Sequence, residues 1–309
     1  MRRDLLTVVK ERADIAANPD ADAFHLVPDL ELGEELINRG VPSSHVLNQE
    51  QGSETQWSEV IRRGNDPAVA PPTPLAPGLD CLVILPTYNE CQNLENMVRA
   101  ISRHLVTDIL IVDDNSPDGT GEIADTLAAK YEYVHVIHRP GKLGLGTAYI
   151  AGFRWGLDRD YDRLIEMDCD FSHNPADLPR LVHASKTADL VIGSRYVRGG
   201  STMGWDLRRR LLSKGANLYT KVFLGPSLND WTAGFRCYNR DRLGEIELSK
   251  VTASGYSFQI QMAWLVKRVG GVVREIPIHF AERNEGQSKM SGGIAMEALV
   301  LVPTLRFRS

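Results

Sequence analysis

Cysteine is scarce in this chain: Cys81, Cys91, Cys169 and Cys237 are the only four among 309 residues. No two of them form a C-x-x-C pair and no histidine cluster accompanies them. A disulfide framework and a zinc site are therefore disfavoured, and reduced thiols in the cytosol are expected. Long apolar runs are missing too. The nearest to the ~18 residues that span a bilayer is Ile294 to Leu305, which is short and broken by Glu297 and Pro303. Arg2 and Arg3 precede no apolar stretch, so no signal peptide is expected. The net charge of -5 excludes a broadly basic nucleic-acid binder. No internal repeat is found. With 43% hydrophobic and 24% charged residues, the chain is neither disordered overall, collagen-like nor a coiled coil.

The charge is unevenly spread. Residues 1–80 carry 7 Lys+Arg against 14 Asp+Glu, while the remainder is nearly balanced. Pro71, Pro72, Pro74 and Pro77 fall within one short stretch that can form neither a helix nor a central strand. Three parts follow: residues 1–70 as an acidic extension, either a partly ordered appendage or a partner-binding segment; residues 71–78 as a proline-rich linker; and residues 79–309 as the main domain.

In that domain short apolar runs alternate with amphipathic ones. Strands are expected at Cys81–Leu85, Ile109–Val112, Val134–Ile137, Leu164–Met167 and Leu190–Ile192. Helices are expected near Gln92–His104, Gly119–Lys130 and Gly146–Leu157. Continuous apolar strands separated by helices indicate an α/β fold whose mostly parallel sheet is covered on both faces. Ligands of such sheets bind at the carboxyl ends of the strands, where the polar clusters of this sequence fall.

The first strand runs into Pro86-Thr87-Tyr88-Asn89-Glu90. The glycines of a dinucleotide fold or P-loop are missing here, which disfavours a nicotinamide dehydrogenase. A simple Asn-containing turn and a ligand-facing loop both fit. Asp113-Asp114-Asn115-Ser116-Pro117-Asp118-Gly119-Thr120 follows the second strand. Asp118 or Thr120 suits a helix cap, but capping leaves the Asp113/Asp114 pair unexplained; it fits the edge of a nucleobase or ribose. The loop after the third strand holds Lys142 between glycines and suits a phosphate better than a dinucleotide. The fourth strand leads to Asp168-Cys169-Asp170-Phe171-Ser172-His173. Two carboxylates just past a buried strand are costly unless a cation neutralises them, and oxygen ligands select Mg2+ or Mn2+, which can hold a diphosphate. From Arg195 to Lys214 there are six basic residues and one acid, Asp206. Arg209 and Ser213 share a helix face there, fit for a second anionic ligand, a lipid surface or plain solvent.

Taken together, Pro-Thr-Tyr-Asn-Glu, Asp-Asp-Asn-Ser-Pro-Asp-Gly-Thr, Met-Asp-Cys-Asp-Phe-Ser-His, Gly-Ser-Arg-Tyr, Gly-Trp-Asp-Leu-Arg-Arg, Ser-Lys-Gly-Ala-Asn and Gly-Phe-Arg resemble the dolichol-phosphate mannosyltransferases. These are polyprenyl-phosphate sugar transferases of glycosyltransferase family 2. The likeness covers about Cys81 to Phe307 and departs at Cys169, where the family often has Ala. It implies a glycosyltransferase A-type fold and inverting transfer of mannose from GDP-mannose to a polyprenyl (dolichyl) phosphate. Pro86, Tyr88, Glu90, Asp113 and Asp114 would hold the nucleoside. Asp168, Asp170 and Ser172 would surround the metal. Arg195, Arg209 and Ser213 would receive the lipid phosphate, and Arg236, Arg283 and Lys289 would contact the donor phosphates or close the site. UDP-glucose is an alternative donor, and a non-catalytic nucleotide-sugar binder a remote one. The resemblance also implies a peripheral enzyme at the cytosolic membrane face, with a membrane-anchored partner possible. The C-terminal run with Ile294, Met296, Leu299, Val300, Leu301, Val302, Leu305 and Phe307 is the expected docking surface, with Arg306 and Arg308 toward anionic headgroups; packing of this run on the enzyme's own core or on a membrane-anchored partner fits equally well.

Overall fold

The computed structural model describes residues 80–251, 253, 255–282 and 292–307. The acidic extension, the linker, Arg283, Lys289 and Arg308 lie outside them. Strand β1 (Cys81–Thr87) pairs in parallel with β2 (Asp108–Asp113) and with β4 (Arg163–Glu166), and β2 pairs in parallel with β3 (Val134–His138). Strands β1, β2 and β3 are the expected apolar runs extended by a residue or two, and β4 is its expected run shifted back by one residue. Alternation decides which side chain goes where. Leu82 and Ile84 enter one core layer, Val83 and Leu85 the other, and all four are fully buried. Sequence periodicity places the covering helices equally well. Helix α1 (Leu94–His104) turns Leu94, Met97, Val98 and Ile101 inward; burial of each is worth about 1.5–3 kcal/mol.

The second half of the sheet departs from this pattern. The full sheet runs β3-β2-β1-β4 and then β7 (Arg236–Asn239), β5 (Leu190–Ser194) and β8 (Val273–Pro277). Strand β5 does not pair with β4; β7 lies between them, antiparallel to both. Strand β8 closes the edge parallel to β5. Short β6 (Ser201–Thr202) and β9 (His279–Phe280) form a separate two-stranded ribbon. The remaining helices are α2 (Thr120–Lys130), α3 (Leu145–Leu157), α4 (Leu178–Ala184), α5 (Leu207–Leu224), α6 (Arg240–Gly244), α7 (Gly255–Arg268) and α8 (Gly292–Phe307). Helix α8 continues through Pro303 and packs on α5 and α7.

Helix α3 lies close on the sheet because Gly152 and Gly156 have no side chain there. A Cβ on Gly152 would stand 2.5 Å from Cγ2 of Ile84, and one on Gly156 would stand 2.6 Å from Cδ2 of Leu164. The glycines that looked like a phosphate loop divide accordingly. Gly144 turns the chain into α3 at φ +100°, and Gly146 faces the ring of Phe258. Gly152→Ala is expected to lower stability by about 1–3 kcal/mol, the usual cost of overpacking. In an Ile84→Ala background the same substitution should cost clearly less, and paired denaturant titrations measure the difference.

Candidate active site

The loops leaving β1, β2 and β4 turn sharply. Asn89, Asn115 and Phe171 all adopt left-handed backbone, with φ of 59°, 56° and 57°. The first two loops are tied to each other by the acids of the Asp pair. Asp113 accepts hydrogen bonds from the Thr87 hydroxyl at 2.9 Å and the Ser116 hydroxyl at 2.6 Å. Asp114 forms a forked ion pair with Arg139 and also accepts from the amide of Leu143. Both aspartates are almost fully buried, so their immediate work is to hold the loops after β1, β2 and β3 in one arrangement. Lys142 sits 4.3 Å from the centre of the Tyr88 ring, which brings two of the expected donor-site residues together. Pro86 lies in β1 opposite Val112. Glu90 accepts from the Asn93 amide, and its backbone carbonyl starts α1.

The turn after β4 gathers the other acids. Asp168 is partly exposed and accepts from the Tyr149 hydroxyl at 3.2 Å, while its own amide donates to Nδ1 of His173. Asp170 accepts from the amide of Ser172 at 3.0 Å. Cys169 points into an apolar cluster, away from this turn. Burial, then Glu90 and the two aspartates, push its thiol well above the ordinary range. The Ser172 hydroxyl is buried and has no hydrogen-bond partner. Among the described residues no group of three or more His, Cys, Asp or Glu side chains gathers around one point. Two carboxylates and an unused hydroxyl fit a hard divalent cation that takes its other ligands from a diphosphate and water.

A second group forms at the end of β5. Arg195 and Arg209 both lie against Trp205, with guanidinium carbons 5.4 and 4.3 Å from its ring centre. Arg209 pairs with Glu282 at 2.9 Å. Ser213 accepts from the Tyr196 hydroxyl at 2.7 Å. The three expected acceptor-phosphate residues are thus neighbours. Asp206 caps α5 by accepting from the amide of Arg209. Phe280 links the two groups, since its ring meets His173 of the β4 turn and Trp205 at the basic end. Arg195 also lines a pocket of about 540 Å³ with Tyr196, Arg210, Lys214, Asn217 and Lys221.

Arg236 requires a correction. It was expected to reach the donor phosphates, but it is fully buried in β7. Its guanidinium donates to the backbone carbonyls of Ala233 at 2.7 Å, Gln259 at 2.7 Å and Trp231 at 2.9 Å. Directly across the ladder lies Glu166, also fully buried. Burial pushes Glu166 up to about 7 against the opposing pull of Arg236. Nothing marks an arginine after Gly-Phe as a core residue; only the reversed strand puts it there. Sequence reasoning also missed Tyr149, Trp205, Asp230 and Glu282. Trp205 lies inside the Gly-Trp-Asp-Leu-Arg-Arg motif already singled out, whereas Tyr149 looks like an ordinary helix residue.

A family model described as glycosyl transferase family 2 matches residues 82–246. The chain is 52% identical over 222 residues to the undecaprenyl-phosphate mannosyltransferase of Micrococcus luteus, covering 72% of this chain and 91% of that one. It is 50% identical over 242 residues to the polyprenol monophosphomannose synthase of Mycolicibacterium smegmatis, covering 77% and 89%. Among solved structures, glucosyl-3-phosphoglycerate synthase from Mycobacterium tuberculosis, in complex with Mn2+, UDP-glucose and phosphoglyceric acid, is similar with a TM-score of 0.57. That match has 18% identity and covers 75% of this chain and 81% of that one, a likeness of fold.

Arg236→Ala should act on stability. It leaves three buried carbonyls without their donor and removes the charge that opposes the buried Glu166 carboxyl, a loss of about 3–5 kcal/mol. In the fraction that remains folded, nucleotide affinity should stay near the parent value. Thermal melts and calorimetry with GDP check both parts.

Proposed function

The chain belongs to glycosyl transferase family 2, and from that premise we propose that it moves mannose from GDP-mannose to a polyprenyl monophosphate, inverting the anomeric centre to leave a β-linked lipid-phosphate mannose. Its fold is of the glycosyltransferase A type. The observation that carries the reading is the second basic group. Arg195, Arg209 and Ser213 meet around Trp205 and Tyr196, one aromatic ring away from the Asp168/Asp170 turn. One anion site beside another suits a nucleotide sugar and a phosphate acceptor. The names of both half-identical relatives favour mannose and a polyprenyl phosphate.

Each part has a task in this scheme. Tyr88 and Lys142 offer a ring face and a cation to the donor; Asp113 and Asp114 fix the loops that receive the nucleoside. Tyr149 and the Ser172 amide orient the two aspartates, which together with the Ser172 hydroxyl would hold Mg2+ or Mn2+. That cation, when bound, neutralises the diphosphate as it leaves. The acceptor is already anionic at neutral pH, so no general base is required. It needs alignment and charge screening, the roles assigned to Arg195 and Arg209. Arg283 and Lys289 keep their assignment to the donor phosphates as part of this proposal.

Purified full-length protein offered labelled GDP-mannose or UDP-glucose with a short-chain polyprenyl phosphate tests the reading. Transfer from GDP-mannose that stops with a chelator and returns with Mg2+ or Mn2+ is expected, and Asp170→Asn should lower it roughly a hundredfold. Preferred transfer from UDP-glucose would replace the donor assignment.

The acceptor's lipid tail keeps the reaction at a bilayer, and no helix among the described residues is long and apolar enough to cross one. Peripheral docking is the consequence, but the residues differ from those expected. Val302 and Leu305 are buried in the core; among the described apolar side chains of the C-terminal run, Leu299, Val300 and Phe307 stay exposed, and the side chains of Ile294 and Met296 lie outside the description. The larger apolar ridge lies on α5, where Leu207, Leu211, Leu218 and Val222 share one face and are all more than half exposed. Leu211→Ser with Leu218→Ser should weaken binding to phosphatidylglycerol vesicles by about tenfold or more while leaving the melting temperature unchanged. Co-sedimentation of the full chain measures it.

A further inference from the structure

Asp230 has no solvent exposure, and neither donor nor metal was assigned to it. Its carboxylate is saturated from one side. Oδ2 accepts from the backbone amide of Arg195 at 3.0 Å and from Nε at 2.7 Å; Oδ1 accepts from Nη2 at 2.6 Å. Nη2 also donates to the Thr232 hydroxyl at 2.7 Å. Three of the five N–H donors of the guanidinium are therefore taken up by Asp230 and Thr232. The planar fork leaves no torsion by which the remaining edge can turn independently.

The loop carrying Asp230 is itself held from two further elements. Glu275 on β8 accepts from the amides of Asn229 and Asp230 at 2.7 and 2.8 Å. Asn217 on α5 accepts from the Trp231 amide at 2.7 Å and donates to Thr232 and to the carbonyl of Ser213. Asn217 stands one turn from Ser213 and two from Arg209. The 229–232 loop thus joins the element bearing Arg195 to the helix bearing the other two acceptor residues.

We propose that Asp230 is a positioning residue for the acceptor phosphate, holding the Arg195 guanidinium in one orientation and fixing its separation from Arg209 and Ser213; this rests on the function proposed above. Glu275 acts one step further back, on the loop.

The test is Asp230→Asn in the full chain, with binding and transfer of a short-chain polyprenyl phosphate measured in detergent and GDP affinity measured by calorimetry. The acceptor KM and Kd are expected to rise about tenfold or more. GDP affinity should stay within about twofold, and turnover per GDP-binding site should change little. A merely structural role predicts the opposite split: less GDP-binding protein, with an unchanged acceptor KM. Glu275→Gln keeps shape and perturbs the loop more gently, so it should move the acceptor KM the same way by about threefold; it stands in if the Asp230 variant does not fold. Parent and variants that bind the acceptor equally well overturn the assignment of Asp230. A parent that neither binds nor transfers to the polyprenyl phosphate overturns the functional reading, and this proposal with it.

Discussion

The two halves of this molecule are held together by one buried guanidinium. Arg236 sits in the reversed strand β7, faces Glu166 across the ladder, and donates to the carbonyls of Trp231, Ala233 and Gln259. Glu166 ends the strand that carries the Asp168/Asp170 turn. Trp231 and Ala233 belong to the loop behind Arg195, and Gln259 lies on α7. A charge of this size survives burial only when almost every donor is used. The placement of the metal-site turn, the acceptor loop and one covering helix is therefore a single condition rather than three.

The acceptor end follows the same logic with a different pair. Arg195 and Asp230 neutralise each other out of water, and burial of the acid is outweighed by the attraction of Arg195 and hydrogen bonds from it, so the carboxyl stays below its ordinary range. Arginine does two kinds of work in this chain. Arg139, Arg195 and Arg236 are inside and organise carboxylates or carbonyls, whereas Arg209 is partly exposed, stacked on Trp205 and paired with the exposed Glu282. An exposed pair contributes little to stability and exchanges readily, as a contact with an incoming anion requires.

The parallel half of the sheet was legible because its strands are continuous apolar runs and its helices have a clear period. Asp168 and Asp170 stood out because acids directly after such a run demand an explanation. Strands β7 and β8 did not stand out. Arg-Cys-Tyr-Asn and Val-Arg-Glu-Ile-Pro carry no apolar run, and their pairing partners are far away in sequence. The same lack of a local signal misled the reading of Arg236. A charged residue in a core looks like one on a loop until the partner that neutralises it is located. On α5 the cations were conspicuous, and they hid the apolar ridge beside them.

The reversed strand also has a consequence for the order of assembly. Strands β1 to β4 and their helices contact one another locally and are complete once residue 166 has been made. The outer edge of β4, however, pairs with a strand about 70 residues later, and pairing at such separation is slow. Until β7 arrives, that edge offers open backbone groups to any other extended chain. During synthesis the nascent protein passes through a stage in which its donor-side half is built and its central seam is still open, and that seam is where misassociation of a newly made chain would begin.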